Sequence, residues 1–183
     1  MFDLDGVVRL WDAPAEPLAE DVRRVRFDPV FLSQVVVGKM TDEEWRDAVA
    51  AQLGEDAVRD WYDSAGRVDE HMLAVVQEVR ASRKTALLTN ATTRLPRDLA
   101  TLGLDGGRFF DAVFNSAELG IAKPDPEVFR LVCSALEVAP GACVFVDDTP
   151  GHVDSARACG LRAFVYQGVE PLRDVLRSEG VLP

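Results

Sequence analysis

The hydrophobic residues follow one pattern up to about residue 67 and a different one from there to the end of the chain. In the second part, short apolar runs alternate with stretches in which apolar residues recur at helical spacing. Continuous apolar strands between amphipathic helices are typical of a parallel sheet that is covered on both faces. We predict strands at residues 85–88, 109–114, 143–146 and 163–166, helices at residues 68–81, 95–102, 126–136 and 151–159, and a last helix ending near residue 178.

The first part of the chain is polar and helical in character and has no strand-like alternation. A short apolar helix or turn is predicted after Pro29. Thr41 and Glu44 have the spacing of a capping box, and the helix that they open is expected to bury the face that carries Trp45. A further short helix is predicted at residues 56–62.

These elements predict two structural units. Residues 12–65 would form a helical bundle that is too small to be stable alone, so we expect it to dock on the α/β core, residues 1–11 and 66–183. Asp3 and Asp5 would close the first strand of that core, with only Met1 and Phe2 before Asp3. Typical strands have about five or six residues. Either this strand is unusually short or the true start of the protein lies upstream of Met1.

Composition and charge narrow the possible functions. The chain has 183 residues, of which 48% are apolar, and a net charge of −11. An acidic surface argues against nucleic-acid or anionic-membrane partners, and no apolar run is long enough to span a membrane. The three cysteines, Cys133, Cys143 and Cys159, are not arranged as CxxC, so we expect buried thiols in a reducing compartment. We therefore predict a cytoplasmic protein, as a monomer or weak homodimer.

Polar residues gather where the predicted strands end. The carboxyl ends of parallel strands meet at one edge of the sheet, where ligands bind at the point of reversal in strand order. Carboxylate and carbonyl oxygens suit Mg²⁺, whereas hydroxyl, ammonium and backbone N–H groups suit a phosphoryl group. The residues predicted at this edge are Asp3, Asp5, Thr89, Asn90, Lys123, Asp147 and Asp148.

These residues belong to four short motifs, and together the motifs carry a family resemblance. In chain order the motifs are Asp3-Leu4-Asp5-Gly6-Val7, Leu88-Thr89-Asn90, Lys123-Pro124-Asp125-Pro126 and Val146-Asp147-Asp148-Thr149-Pro150. In this order and spacing they resemble the haloacid dehalogenase-like hydrolase superfamily, in its phosphatase branch. The resemblance implies a Rossmann-like parallel sheet flanked by helices, with residues 12–65 as a small helical cap. Residues 38–45 are more loosely similar to a sugar-phosphate and epoxide-hydrolase-linked phosphatase subgroup.

The resemblance also implies roles for the acidic residues. Asp3 would attack phosphorus and form an aspartyl-phosphate, and Asp5 would act as general acid and then as general base. The Asp3 carboxylate, the Asp5 carbonyl and Asp148 would hold Mg²⁺. Asp147 would act from behind these ligands or through a water molecule.

The remaining motif residues would bind phosphate. Thr89 and Lys123 would contact the phosphoryl oxygens, Lys123 would also hold Asp3 in place, and Asn90 would lie beside the phosphate. His152 is expected to be a surface residue at a helix start rather than a catalytic group. Trp11 is the best candidate among the tryptophans to face the substrate.

The sequence thus predicts a Mg²⁺-dependent phosphatase of a small phosphorylated metabolite, with sugar phosphates as one candidate class. A 2-haloacid dehalogenase is the nearest rival function, but that branch lacks the second aspartate that Asp5 supplies here. A phosphomutase is also possible on this sequence, because it uses both aspartates. A non-catalytic binding protein that keeps the fold is a fourth hypothesis.

Overall fold

A computed structural model of the chain describes residues 1–11, 20–56, 58, 59 and 64–183. The strands are β1 (Arg9–Leu10), β2 (Arg67–Val68), β3 (Ala86–Thr89), β4 (Ala112–Asn115), β5 (Val144–Asp147) and β6 (Arg162–Val165). The helices that lie before β3 are α1 (Glu20–Arg26), α2 (Pro29–Val35), α3 (Asp42–Leu53) and α4 (Glu70–Arg80). Those that follow are α5 (Leu95–Thr101), α6 (Ser116–Leu119), α7 (Pro126–Ala135), α8 (Pro150–Ala158) and α9 (Val169–Ser178), with a 3₁₀ turn at Pro140–Ala142.

The main sheet is parallel, and its centre is the beginning of the chain. β3 pairs with β4 and β5 pairs with β6, both in parallel. Phe2 bridges these two pairs, because it lies parallel to Leu87 of β3 on one side and to Val146 of β5 on the other. The order across the sheet is therefore β4, β3, the Phe2 segment, β5, β6. The predicted fold class, a Rossmann-like parallel sheet flanked by helices, is confirmed.

The Phe2 segment is as short as the sequence suggests, yet it is bonded on both sides. The N–H of Phe2 donates to the Ala86 carbonyl at 2.9 Å, and the N–H of Asp3 donates to the Val146 carbonyl at 2.8 Å. The Met1 ammonium donates to the Val144 carbonyl at 2.8 Å, and burial lowers its pKa. Strand order reverses around this segment, so ligands are expected at its carboxyl end, which is Asp3.

Alternation along the strands divides the core into two apolar layers. Leu87 and Val146 face a layer that is covered by α4, α5 and α9. The neighbouring residues Leu88 and Phe145 face the opposite layer, which is covered by α7 and α8. Successive strand residues point to opposite faces, so each strand contributes to both layers and both faces are buried.

Along the chain, helices α1 to α3 come between β1 and β2, and these two strands pair with each other as an antiparallel ribbon. The three helices have an apolar cluster of their own that includes Val35, Trp45 and Val49. The predicted capping box is present, because Thr41 accepts from the Glu44 N–H while the Glu44 carboxylate accepts from the Thr41 N–H. The boundaries of the cap at residues 12 and 65 stay a prediction.

Several predicted elements need correction. The ribbon of β1 and β2 was not predicted, because two-residue strands are too short to carry an alternating pattern. The strand predicted at residues 109–114 begins only at Ala112. Phe109 and Phe110 both pack into the same apolar layer, which neighbouring strand residues cannot do. The helix predicted at residues 56–62 falls partly outside the described residues.

The cysteine prediction holds for two of the three residues. All three are free thiols, and Cys133 and Cys143 are buried. Burial, followed by the neighbouring Cys143 thiol, raises the pKa of Cys133 to about 11. Cys159 is only partly buried, because it lies at the end of α8 rather than within its buried face. Among the described residues, none of the helices is both long and apolar enough to cross a bilayer.

Candidate active site

A buried lysine joins two carboxylates at the carboxyl edge of the sheet. Asp3 ends the Phe2 segment, Asp147 ends β5, and Lys123 precedes α7. The Lys123 ammonium lies 2.8 Å from Oδ1 of Asp3 and 2.6 Å from Oδ2 of Asp147. The Lys123 side chain is fully buried, and a buried ammonium is stable only where carboxylates of this kind pair with it.

The two carboxyl groups that contact Lys123 have pKa values shifted in opposite directions. Burial, and then the charge of Asp147, raises the pKa of Asp3 to about 7 against the pull of Lys123. Burial also opposes ionisation of Asp147, but the hydrogen bond from His152 and the charge of Lys123 lower its pKa to about 2. Asp147 additionally accepts from the Thr149 N–H at 2.8 Å. Asp147 is thus the permanent counter-ion of Lys123, whereas Asp3 holds a proton more readily.

Asn90 fixes the loop that carries Lys123. Its side-chain Nδ2 donates to the Lys123 carbonyl at 2.7 Å, and its Oδ1 accepts from the Lys123 N–H at 2.9 Å. The sequence predicted that Asn90 lies beside the phosphate site. In the structure Asn90 lines the cavity at the sheet edge, and both ends of its amide bind the Lys123 backbone.

Thr89 offers an unused hydroxyl to the site. Its Oγ1 is buried and has no hydrogen-bond partner among the residues that the structure describes. A buried hydroxyl without a partner costs about 1–3 kcal/mol, so such groups are usually satisfied by a ligand or water. An oxygen-rich group in the cavity in front of Asp3 would satisfy it.

Asp148 and Gly6 form a cradle that suits a divalent cation. Gly6 has a φ of +76°, and a Cβ on it would lie 2.1 Å from Oδ2 of Asp148. A side chain at residue 6 would therefore displace the carboxylate. The Asp148 carboxylate is exposed beside the Asp3–Gly6 turn, and its Oδ1 accepts from the Thr149 hydroxyl at 3.2 Å. Carboxylates beside a backbone turn are the oxygen donors that Mg²⁺ prefers, so the donor set fits this ion.

A second cluster of potential metal ligands suits a cation less well than the Asp148 cradle does. Asp3, Asp147 and His152 each have a potential ligand atom within 4.8 Å of the others. However, the Lys123 ammonium already lies between Asp3 and Asp147, and a dication there would meet its positive charge at close range. We therefore place the candidate metal position on the Asp148 side of Asp3.

Asp5 projects into the same cavity and is held by two neighbours. Arg9 donates to both of its oxygens, with Nε 2.7 Å from Oδ1 and Nη2 2.8 Å from Oδ2. The indole N–H of Trp11 donates to Oδ1 at 2.6 Å. The cavity has a volume of about 550 Å³ and is lined by Asp3, Asp5, Gly6, Leu10, Trp11, Thr89, Asn90, Asp148, Thr149 and His152.

All seven site residues predicted from the sequence lie at this edge, but two of their neighbours were not predicted. His152 is in the first turn of α8, as expected, yet its Nδ1 lies 3.1 Å from both oxygens of Asp147 instead of pointing into solvent. Its position five residues after Asp147 was the available signal. Arg9 was not predicted, because no motif or periodicity in the sequence links it to Asp5.

Comparison with known proteins gives a family for this arrangement. Residues 1–160 match the family model described as haloacid dehalogenase-like hydrolase. The chain is 26% identical to Phosphatase MT3486 of Mycobacterium tuberculosis, over 95% of this chain and 89% of that protein. It is 41% identical to a phosphoserine phosphatase of Thermus thermophilus over 88 residues, which are 47% of this chain and 35% of that protein.

A solved structure supports the fold. The magnesium complex of the HAD family enzyme bt-2542 from Bacteroides thetaiotaomicron superimposes with a TM-score of 0.79. The alignment covers 96% of both chains at 22% sequence identity, so the similarity concerns the fold alone.

Proposed function

The chain belongs to the haloacid dehalogenase-like hydrolase family, and we propose that it is a Mg²⁺-dependent phosphatase of a small phosphorylated metabolite. One observation carries the proposal. The buried Lys123 ammonium lies 2.8 Å from Asp3, and the Thr89 hydroxyl, which has no partner among the described residues, lines the same cavity as Asp3. Donors for a phosphoryl group are thus present beside a carboxylate that could attack it. The phosphatases among the relatives support the same reaction class.

The first step would transfer the phosphoryl group to Asp3. A carboxylate oxygen of Asp3 attacks phosphorus, the bond from phosphorus to the ester oxygen breaks, and the leaving alcohol takes a proton from the carboxylic acid form of Asp5, which the second step regenerates. Lys123 and Thr89 would donate hydrogen bonds to the phosphoryl oxygens, where negative charge must be stabilised. Because Asn90 holds the backbone of Lys123 at both its N–H and its carbonyl, the ammonium is placed before the substrate binds.

The second step would release phosphate. Asp5, now a carboxylate, takes a proton from a water molecule that attacks phosphorus, and the bond from phosphorus to the Asp3 oxygen breaks. Inorganic phosphate leaves and Asp3 is regenerated as a carboxylate. Asp3, the Asp5 backbone carbonyl and Asp148 would hold Mg²⁺, whose charge when bound would offset the repulsion between the anionic nucleophile and the anionic phosphate.

The dimensions of the cavity favour a small substrate. A volume of about 550 Å³ lies within the range of small-molecule sites. Trp11 is 46% exposed and lines this cavity with Leu10, so the leaving group would meet an aromatic and an aliphatic side chain there. Sugar phosphates are one candidate class, since aromatic rings pack well on the C–H faces of sugars.

Hydrolysis of p-nitrophenyl phosphate tests the proposal. We expect turnover with Mg²⁺, none with EDTA, and none for Asp3→Asn, whose amide cannot attack phosphorus. Asp154→Asn on the exposed face of α8 is the matched control and should keep its activity, because its side chain is 72% exposed. A folded, Mg²⁺-loaded wild-type protein without turnover would contradict the phosphatase assignment.

Two different outcomes would replace the phosphatase assignment with another reaction on the same fold. Release of halide from a 2-haloacid would identify a dehalogenase. Interconversion of phosphate esters without net release of phosphate would identify a phosphomutase. A panel of phosphorylated sugars, hydroxy acids, amino acids and nucleotides would then define the substrate.

A further inference from the structure

We propose that Arg9 is a positioning residue that orients Asp5 for proton transfer. The proposal rests on the phosphatase function proposed above, in which Asp5 is the acid and base. Arg9 lies in β1 of the ribbon that leads out of the active-site turn, four residues after Asp5. Its side chain is only 4% exposed, whereas that of Asp5 is 38% exposed.

The contacts of Arg9 hold the Asp5 carboxylate in one orientation. The Arg9 Nε and Nη2 atoms donate to the two different oxygens of Asp5, at 2.7 and 2.8 Å. A two-point contact of this kind fixes the plane of a carboxylate, which a single hydrogen bond does not do. The backbone supports the same geometry, since the Gly6 N–H donates to the Arg9 carbonyl at 2.9 Å.

The far side of Arg9 is anchored in the core. Its Nη1 donates to Oδ2 of Asp98 at 2.9 Å, and the other oxygen of Asp98 accepts from Nε of Arg94 at 2.7 Å. Asp98 is only 7% exposed and lies in α5. Arg94 also donates to the carbonyl of Ser64, just before the ribbon strand β2. Arg9 is thus held by a buried acid on one side and can hold Asp5 on the other.

Trp11 completes the support. Its ring lies 4.6 Å from the guanidinium carbon of Arg9, and its indole N–H donates to Oδ1 of Asp5. The same carboxylate therefore meets three donor atoms, all from residues of the outgoing strand and its continuation. Without them, a half-exposed aspartate in an open cavity would sample several rotamers.

Orientation of Asp5 should matter most when the leaving group is poor. A general acid contributes about 10²- to 10⁴-fold to rate when it lies within hydrogen-bond reach of the reacting oxygen. An alkyl alcohol needs this proton as it leaves, whereas p-nitrophenolate leaves readily without it. Loss of Asp5, or loss of its orientation, should therefore slow an alkyl phosphate more than an aryl phosphate.

The test compares glycerol 2-phosphate with p-nitrophenyl phosphate. For Arg9→Met we expect kcat/KM, which reports the steps up to transfer of the phosphoryl group to Asp3, to fall by about tenfold more on the alkyl ester than on the aryl ester. Arg9→Lys keeps the charge but loses the two-point contact, so it should give an intermediate loss. The double variant Asp5→Asn/Arg9→Met should be no slower than Asp5→Asn alone, because Arg9 acts through Asp5.

If Arg9→Met does not fold, Trp11→Phe is measured in its place on the same two esters. It removes one donor to Asp5 from a half-exposed side chain, and it should show the same preference for the aryl ester with a smaller loss. Equal losses of kcat/KM on both esters, a further loss in the Asp5→Asn background, or wild-type kinetics in the foldable variants would overturn the role of Arg9. A wild type inactive on both esters would overturn the phosphatase function and this role together.

Discussion

Replacing the proposed nucleophile should stabilise the metal-free protein. The pKa of Asp3 is about 7 in the folded protein, against an ordinary value of 3.8, because burial and the Asp147 charge disfavour its carboxylate. At about 1.4 kcal/mol per pH unit, ionising Asp3 in the folded state costs up to about 4 kcal/mol of the free energy of unfolding. Asparagine has nearly the same shape and does not ionise, so Asp3→Asn should escape this cost.

The sign of the pH dependence follows from proton binding. Between about pH 4 and pH 7 the folded protein keeps the Asp3 proton that the unfolded chain has lost, so stability falls as pH rises. Above about pH 7 both states are ionised and the loss is complete. The advantage of Asp3→Asn over wild type should therefore grow by about 2–3 kcal/mol between pH 5 and pH 8.

Urea unfolding in EDTA at pH 5 and pH 8, followed by tryptophan fluorescence, measures this difference. Asp154→Asn, the same substitution at a side chain that is 72% exposed, is the matched control. Saturating Mg²⁺ should then stabilise wild type more than Asp3→Asn, because the ion binds the folded carboxylate. If Asp3→Asn is less stable than wild type at pH 8 in EDTA, burial does not hold the Asp3 proton and the argument fails.

Two further substitutions separate metal binding from phosphate binding. Gly6→Ala should weaken Mg²⁺ affinity by about tenfold or more in isothermal titration, because its Cβ would lie 2.1 Å from Oδ2 of Asp148. The control is Gly103→Ala, at a glycine with a similar φ of +66° but open space around it. This control should lower the free energy of unfolding without changing Mg²⁺ affinity. Thr89→Val should raise the free energy of unfolding by about 1 kcal/mol while lowering kcat/KM for p-nitrophenyl phosphate by about tenfold, because it removes a buried hydroxyl that has no partner among the described residues. A Thr89→Val protein with wild-type kcat/KM would show that this hydroxyl does not bind substrate.

The sheet and most of the candidate site could be predicted from the sequence because both depend on local patterns. Apolar runs such as residues 143–146 end in acids, and parallel strands must bring their carboxyl ends to one edge. That geometry places Asp3, Thr89 and Asp147 together without any knowledge of side-chain contacts. The short Phe2 segment was also visible, since only two residues precede Asp3.

The parts that sequence analysis missed depend on contacts between distant or unpatterned residues. Arg9 reaches Asp98 across 89 positions, and no periodicity links the two. His152 occupies a helix start, where a solvated residue is the common case, and only the three-dimensional turn after β5 brings its ring to Asp147. Two-residue strands such as β1 carry no alternation, so the ribbon that holds Arg9 was equally invisible.

The missed residues explain how the two aspartates of one short motif can have different roles. Asp3 is buried beside the Lys123 ammonium, which already forms an ion pair with Asp147. Ionisation of the Asp3 carboxyl is therefore unfavourable until a cation approaches from the Asp148 side. Asp5, two residues later, is half-exposed and supported by Arg9 and Trp11. Under the proposed mechanism, burial would prepare Asp3 to bind metal and attack, while the guanidinium would keep Asp5 aligned for the proton transfer. The sequence supplies both acids in the same short motif, and it is the neighbours of each, contributed by β5, α5 and the ribbon, that differentiate their chemistry.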